Sequence, residues 1–317
     1  MCIRDSAITI IIPERMAGER IDAAMSEMLP DYSRSKITVW IKLGDALINN
    51  KTFKPKDRVS GNETIQLMLS QKQSNQWLAE KIPLNIVYED EDIIVINKQF
   101  GLVTHPGAGN WTGTLANALL HYDPSLSKLD RVGIVHRLDK NTSGLMVIAR
   151  SEKSQKYLVE QIQNHSVDRE YSAIVYGHMI AGGTVDEPIG RDSRDRLKQA
   201  VSERGKEAIT HYRVIDRFKS HTHVKAILET GRTHQIRVHL SYVGHSLVGD
   251  PIYGGRVRFP KKASEDLKDA LHNFKRQALH SKKLTLTHPI SGELMSWKAP
   301  VPEDMVQLLE VLKKFDS

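Results

Sequence analysis

The sequence predicts an α+β protein in two parts: a small N-terminal unit of two helices and short strands, then a larger domain on a mixed or antiparallel sheet. Three observations predict this. With 317 residues, the chain is longer than one average domain. A polar run, Ser70-Gln71-Lys72-Gln73-Ser74-Asn75-Gln76, interrupts it and reads as connecting chain. Beyond that run, strand-like segments come as hairpins mixed with isolated helices, not as regular βαβ units. The expected bounds are 14–75 for the first domain, 76–82 for the linker and 83–317 for the second domain.

The first six residues fit no element and read as a translated adapter, so Cys2 carries no weight. Residues 7–12 are a strand. Residues 20–29 place Ile21, Met25, Met28 and Leu29 at helical spacing. A second helix spans 33–43, with Ser33 or Ser35 to cap it and Gly44 just past its end. Short strands follow at 46–48, before an Asn49-Asn50 turn, and at 63–69.

In the second part, 86–88 and 93–96 flank the Asp90-Glu91-Asp92 turn. A helix spans 114–122, an apolar strand 144–149, and a helix 151–164 capped by Ser151. Strands follow at 170–176 and 224–228. The last expected helix, 233–242, carries Ile236 and Leu240 on one side, with Thr233 as its cap.

Composition narrows the function. Lys and Arg number 45 against 38 Asp and Glu, a net charge of +7, which favours a polyanionic partner without requiring one. The single cysteine excludes an internal disulfide, and a cytoplasmic location is expected. No apolar run reaches bilayer-spanning length and no signal segment precedes the first strand, so no membrane partner is expected.

Charge is clustered. Residues 34–58 hold Arg34, Lys36, Lys42, Lys51, Lys54, Lys56 and Arg58 against Asp45 and Asp57. A phosphate-binding surface and a solvated helix face both fit this run. A second basic stretch, 256–283, leaves the same two readings open.

Two segments crowd chemistry into few positions. In 131–150, a short strand at Ile134-Val135 enters a loop holding His136, Arg137, Asp139 and Lys140, and an apolar strand leaves it. Thr142 and Ser143 are placed to bond the loop backbone, and Gly144 to let it turn. In 230–240, Arg237 lies off the Ile236/Leu240 stripe, facing something other than the core. By spacing alone, an ion-pair corner and a surface arginine also fit these clusters. There is no P-loop, Gly-x-Gly-x-x-Gly or Cys-x-x-Cys pattern. His234 and His239, five apart on a helix, are poorly spaced for one metal. No cofactor and no metal are expected.

The order of these motifs carries a resemblance. Arg20-Ile21-Asp22, Ser33-Arg34-Ser35-Lys36, Trp40-Ile41-Lys42-x-Gly44 and Ile48-Asn49-Asn50-Lys51 resemble the S4 RNA-binding domain, with Gly61-Asn62 where that domain usually has Gly-Asp. His136-Arg137-Leu138-Asp139-x-x-Thr142-Ser143-Gly144-Leu145 resembles the catalytic motif of the RluA-type pseudouridine synthases. The other blocks follow in order: Tyr88 to Pro106, Arg169-Glu170-Tyr171, then Gly231 to Leu240 with Gly249-Asp250-Pro251-x-Tyr253-Gly254. Gln99 stands where the family usually has Pro. Gly182 to Pro188, Arg276 to His280, His288 to Gly292 and Trp297-x-Ala299-Pro300 resemble the members acting on large-subunit ribosomal RNA.

The resemblance implies an isomerase that turns uridine into pseudouridine after flipping the base, in support of ribosome assembly. Asp139 is then the catalytic carboxylate, attacking ribose C1′ or the pyrimidine, or acting through a glycal. Tyr171 stacks under the uracil, and Arg237 pairs with Asp139 and keeps it ionised. Arg137 is the wedge that fills the vacated stack. His136, Thr142 and Leu145 belong to the substrate site, with 145–148 walling it. Arg34, Lys36, Lys42 and Lys51 hold RNA. The implied partner is 23S rRNA or a pre-50S particle, met by a monomer. Three alternatives stay open: a non-catalytic RNA-binding protein, a metal-dependent nuclease, and the same reaction on transfer RNA.

Overall fold

The computed structural model describes residues 6–30, 32, 34–69, 77–107, 110–195 and 198–316. Cys2, the Ser33 cap and the polar run 70–76 lie outside these residues, as does the side chain of Lys36. The chain divides into two compact units, Met1–Gln76 and Trp77–Ser317.

The first unit pairs three antiparallel strands, β1 (Ser6–Ile11), β2 (Ala46–Ile48) and β3 (Thr64–Leu69), in the order β1-β3-β2. Helices α1 (Ile21–Met28) and α2 (Arg34–Leu43) precede β2. Their apolar stripes meet: Ile21, Met25, Ile37 and Ile41 share a core with Ile65 and Leu67 of β3. Burial of such a stripe, more than helix propensity, holds helices this short.

The second unit is built on one mixed sheet. Its strands are β4 (Ile86–Glu89), β5 (Ile93–Lys98), β6 (Ser143–Ala149), β7 (Asp168–Tyr176) and β8 (Gly183–Asp186). A separate two-stranded ribbon, β9 (Ile189–Arg191) and β10 (Gln199–Val201), follows. The main sheet is completed by β11 (Ile209–Arg217), β12 (His221–Leu228), β13 (Leu279–Thr287) and β14 (Leu294–Lys298). The order is β4-β5-β6-β13-β7-β12-β11-β8, with β14 on β13. All its pairings are antiparallel except β6 with β13. The fold class is therefore α+β, as expected.

Both faces of the sheet are covered. Ile94, Ile96, Met146 and Ile148 face one core, with helices α3 (Leu115–Tyr122) and α5 (Gln235–Tyr242) packed on it through Leu115, Leu119, Ile236 and Leu240. Ile93, Val95, Leu145 and Val147 face the other, against Leu158 of α4 (Glu152–Gln163). A third core joins Ile174 to helices α6 (Glu265–Asn273) and α7 (Glu303–Asp316). Strand β6 is buried along its whole length, which explains its unbroken apolar run.

Three local expectations are corrected. Ile134-Val135 is not a strand: a 3-10 turn at Asp130–Gly133 precedes a single bridge from Ile134 to Ile148. Gly144 serves close approach and not a loop turn; it has φ 115° and a Cβ there would lie 2.3 Å from the Ser281 carbonyl oxygen. Thr233 does not cap α5, which starts after His234 in the left-handed region (φ 59°); Gln235 closes the turn instead, its Oε1 accepting from Thr230 Oγ1 at 2.7 Å and the Arg232 N–H at 2.9 Å. Within the basic stretch 256–283, Arg276 is buried and forked onto Asp304 at 2.6 and 2.7 Å.

Candidate active site

The loop between Gly133 and β6 is held from below by donors. Lys98, at the end of β5, is 2% exposed. Its ammonium donates to the carbonyls of Gln99 and Leu102 at 2.9 Å and of Lys140 at 3.2 Å. Thr104 Oγ1 donates to the Leu138 carbonyl at 2.8 Å. The Thr142 N–H closes a turn onto the Asp139 carbonyl at 3.0 Å, and Thr142 Oγ1 accepts from Gln277 at 2.9 Å. This lattice fixes the backbone on both sides of Asp139. Burial pushes the Lys98 ammonium down to about 7, against the pull of Asp139.

Asp139 meets Arg237, 98 residues away in sequence, at 2.9 Å between Oδ2 and Nη1. Arg237 is itself buried and forked onto Asp250, with Nε–Oδ2 at 2.7 Å and Nη2–Oδ1 at 2.9 Å. The Asp250 side chain is 0% exposed, and its Oδ1 also accepts the N–H groups of Ile252 and Tyr253 at 2.9 and 3.0 Å. One guanidinium thus bridges two carboxylates. Burial works against the Arg237 charge, but Asp250 and Asp139 more than offset it, and its pKa stands above the usual arginine value. Burial also opposes ionisation of Asp250; Arg237 and the two backbone donors overcome it and hold that carboxyl below its usual range.

His234 Nε2 lies 3.8 Å from Asp139 Oδ1, and its Nδ1 is 2.8 Å from the Tyr253 hydroxyl. Burial lowers its pKa, and Asp139 opposes the shift. The Tyr253 ring sits 5.0 Å from the Arg237 guanidinium carbon, a cation–π contact. The Tyr253 hydroxyl also accepts the Gln199 N–H at 2.9 Å.

These groups open into a cavity of about 440 Å³ lined by Asp139, Tyr171, Arg237, Ile236 and Leu279. That volume suits one small organic group. Tyr171, on β7, is nearly fully buried, and burial raises its phenol pKa. Arg137 is exposed and borders the same cavity. His136 and Thr142 line it too. His136 Nε2 accepts the Val147 N–H at 3.0 Å, and burial, with Arg169 nearby, pushes its pKa down to about 3, so the ring is a neutral acceptor. Leu145 is the exception. It does not line the cavity; alternation along β6 turns its side chain into the core with Val147 and Leu284. The apolar wall expected from 145–148 is supplied instead by Ile134, Ile236 and Leu279.

Spacing alone did not single out Asp250, His234, Tyr253, Lys98 or Arg169 as site residues. Asp250 has one signal in the sequence, an acid inside a Gly-Asp-Pro turn.

In the N-terminal unit, Asp22 is buried between Arg20 and Arg34, at 3.0 and 2.9 Å. The Arg20 hydrogen bond is the main reason its carboxyl falls below the usual range. Arg34 therefore spends part of its fork on an internal acid. Lys42 and Lys51 are exposed.

Among the described residues, Asp90, Asp92 and His288 approach one another at metal-ligand spacing. Both ring nitrogens are engaged: Nδ1 accepts the N–H groups of Ile290 and Ser291, and Nε2 lies 3.0 Å from Asp90 Oδ2. The Tyr88 hydroxyl donates to the same oxygen at 2.7 Å. Hydrogen bonds account for this cluster.

A carboxylate held by a buried arginine shares one cavity with a buried tyrosine, an arrangement that suits an enzyme acting on one small organic group. The chain belongs to the RNA pseudouridylate synthase family, whose description matches residues 92–242. It is 52% identical over 307 residues to the ribosomal large subunit pseudouridine synthase D of Escherichia coli K12, covering 96% of this chain and 94% of that one. The protein of the same name from Xanthomonas campestris pv. campestris is 49% identical over 304 residues, covering 96% and 92%. Among solved structures, human RNA pseudouridylate synthase domain containing 4 superposes with a TM-score of 0.57 at 28% identity, covering 72% of this chain and 93% of that one. The enzyme is thus an RNA pseudouridine synthase.

Proposed function

We propose that this synthase acts on large-subunit (23S) ribosomal RNA, free or in a pre-50S particle, and that Asp139 is its catalytic carboxylate. The relatives' names support the substrate. The reaction breaks the bond from ribose C1′ to uracil N1, joins C1′ to C5 and moves one proton from C5 to N1, so nothing is gained or lost. The observation that carries the residue assignment is the Asp139–Arg237–Asp250 array at the cavity wall. Arg237 fixes the orientation of the Asp139 carboxylate and places an opposite charge 2.9 Å from it. Tyr171 forms the face on which the uracil rests, and Ile236 and Leu279 exclude water around it. Arg137, exposed at the border, takes the place of the everted base and holds phosphate. His136 and Thr142 line the pocket and hold its loop.

Residues 14–75 act as an S4-type RNA handle through Lys42 and Lys51 and the basic residues near them, and 76–82 link it to the catalytic domain at 83–317. The enzyme works as a cytoplasmic monomer without a cofactor. Among the described residues no helix is long and apolar enough to cross a membrane.

Asp139→Asn tests the assignment. The neutral amide keeps the shape and removes the charge, so pseudouridine formation on 23S rRNA is expected to fall by at least about a thousandfold, roughly 4 kcal/mol of barrier. A folded variant that still makes pseudouridine at the wild-type rate would refute the role.

A further inference from the structure

We infer that Arg169 is an anchoring site for one phosphate of the RNA beside the everted uridine, an assignment that rests on the reading above and adds a residue to it. Arg169 stands two residues before Tyr171 on β7, so both side chains leave the same face of the sheet, and both line the cavity. It is 4% exposed. Its Nη2 donates to the Glu229 carbonyl at 2.8 Å, while Nε has no partner among the described residues.

Among the described residues it has no carboxylate partner. Arg237 and Arg276 are also buried, and each is forked onto an aspartate at 2.6 to 2.9 Å. Of the acids beside it on β7, Asp168 is exposed and, one residue away, leaves the opposite face of the strand, and Glu170 pairs with Lys225 at 3.3 Å; the Glu229 carboxylate pairs with His211 at 2.5 Å. An uncompensated buried cation costs several kcal/mol. Burial lowers the Arg169 pKa, in keeping with a desolvated charge. A fold that tolerates this at a cavity wall leaves room for an anion to supply the missing partner.

A phosphodiester fits. It carries one negative charge, it accepts two parallel N–H bonds from a guanidinium fork, and each nucleotide entering the cavity brings one on either side. A uracil carbonyl accepts hydrogen bonds but leaves the cation unneutralised. The cavity also carries Arg131, Arg137 and Arg232, so its field selects anions. Gly231 makes space for the fork: a Cβ there would lie 2.8 Å from Arg169 Nη1.

The test crosses protein and RNA charge deletions. Wild type, Arg169→Met and Arg169→Lys are assayed on an RNA that the wild type modifies, carrying ordinary linkages or a neutral methylphosphonate on one side of the target uridine. Arg169→Met is expected to raise KM at least about tenfold and to lower the slope of log KM against log salt by about 0.7, one phosphate contact. One methylphosphonate position is expected to raise KM for wild type and for Arg169→Lys and to have no further effect on Arg169→Met. Additive losses, or a folded Arg169→Met with the wild-type salt slope, would overturn the assignment. Should Arg169→Met not fold, Arg169→Lys and the wild type decide: indifference of both to every flanking methylphosphonate overturns it equally. If the wild type forms no pseudouridine on large-subunit RNA, the substrate reading fails first, separately from Arg169.

Discussion

At the residue scale, the centre is one guanidinium shared by two acids. Asp250 holds Arg237 from behind through two bonds, leaving Nη1 free to reach Asp139. The buried pair is costly to assemble but fixes the angle at which Arg237 presents itself. Asp250→Asn keeps the shape and removes one charge. We expect a loss of about 3 kcal/mol in unfolding free energy and at least a tenfold fall in kcat/KM, measured by denaturant unfolding and by pseudouridine assay on the same preparation. Unchanged activity would show that Asp139 alone is enough to hold Arg237. None of this geometry is visible in spacing, because Asp139, Arg237 and Asp250 come from three separate segments. The pairing of Asp139 with Arg237 entered the sequence reading through family resemblance. Asp250 lies in the Gly249-Asp250-Pro251 turn, where its sequence neighbours do not mark it as a partner of Arg237.

At the element scale, β6 decides which side chains meet the cavity. Its run Leu145-Met146-Val147-Ile148 is apolar throughout, so composition does not say which residues point where. Pairing with β5 and with β13 does: Leu145 and Val147 go to one core, Met146 and Ile148 to the other. Leu145→Ala is therefore expected to cost about 2–5 kcal/mol of stability while leaving KM within twofold of wild type at a temperature where the variant is folded. A selective rise in KM without loss of stability would return Leu145 to the substrate site. The same logic explains Gly144. The sequence marks a glycine there; only the parallel approach of β13, which brings Ser281 against it, shows what the glycine is for.

At the scale of the whole molecule, buried histidines tie stability to pH. Burial holds His105, His221 and His280 near 4 and His136 near 3, all below the ordinary value of 6.5. The unfolded chain therefore binds more protons than the folded one between about 6.5 and these lower values, and stability rises with pH across that window. As pH falls from 7 to 4.5, the urea midpoint is expected to drop progressively, since each histidine must stay neutral in the fold while it charges in the unfolded chain. A flat midpoint over that range would show these rings protonated in the native state.

The sequence by itself determined the fold class, the placement of most helices and central strands, and the loop and helix that supply Asp139 and Arg237. It could do so because these rest on local quantities: hydrophobic period, caps, turn residues and the density of ionisable groups in a short segment. Tertiary structure alone decided the order of the nine-stranded sheet, the turn of Leu145 away from the cavity, the role of Asp250 behind Arg237, and the burial of Arg169 and Lys98 with no carboxylate partner among the described residues. Those depend on which distant segments lie side by side, and a side chain's charge environment is set by neighbours in space, which its neighbours in sequence do not name.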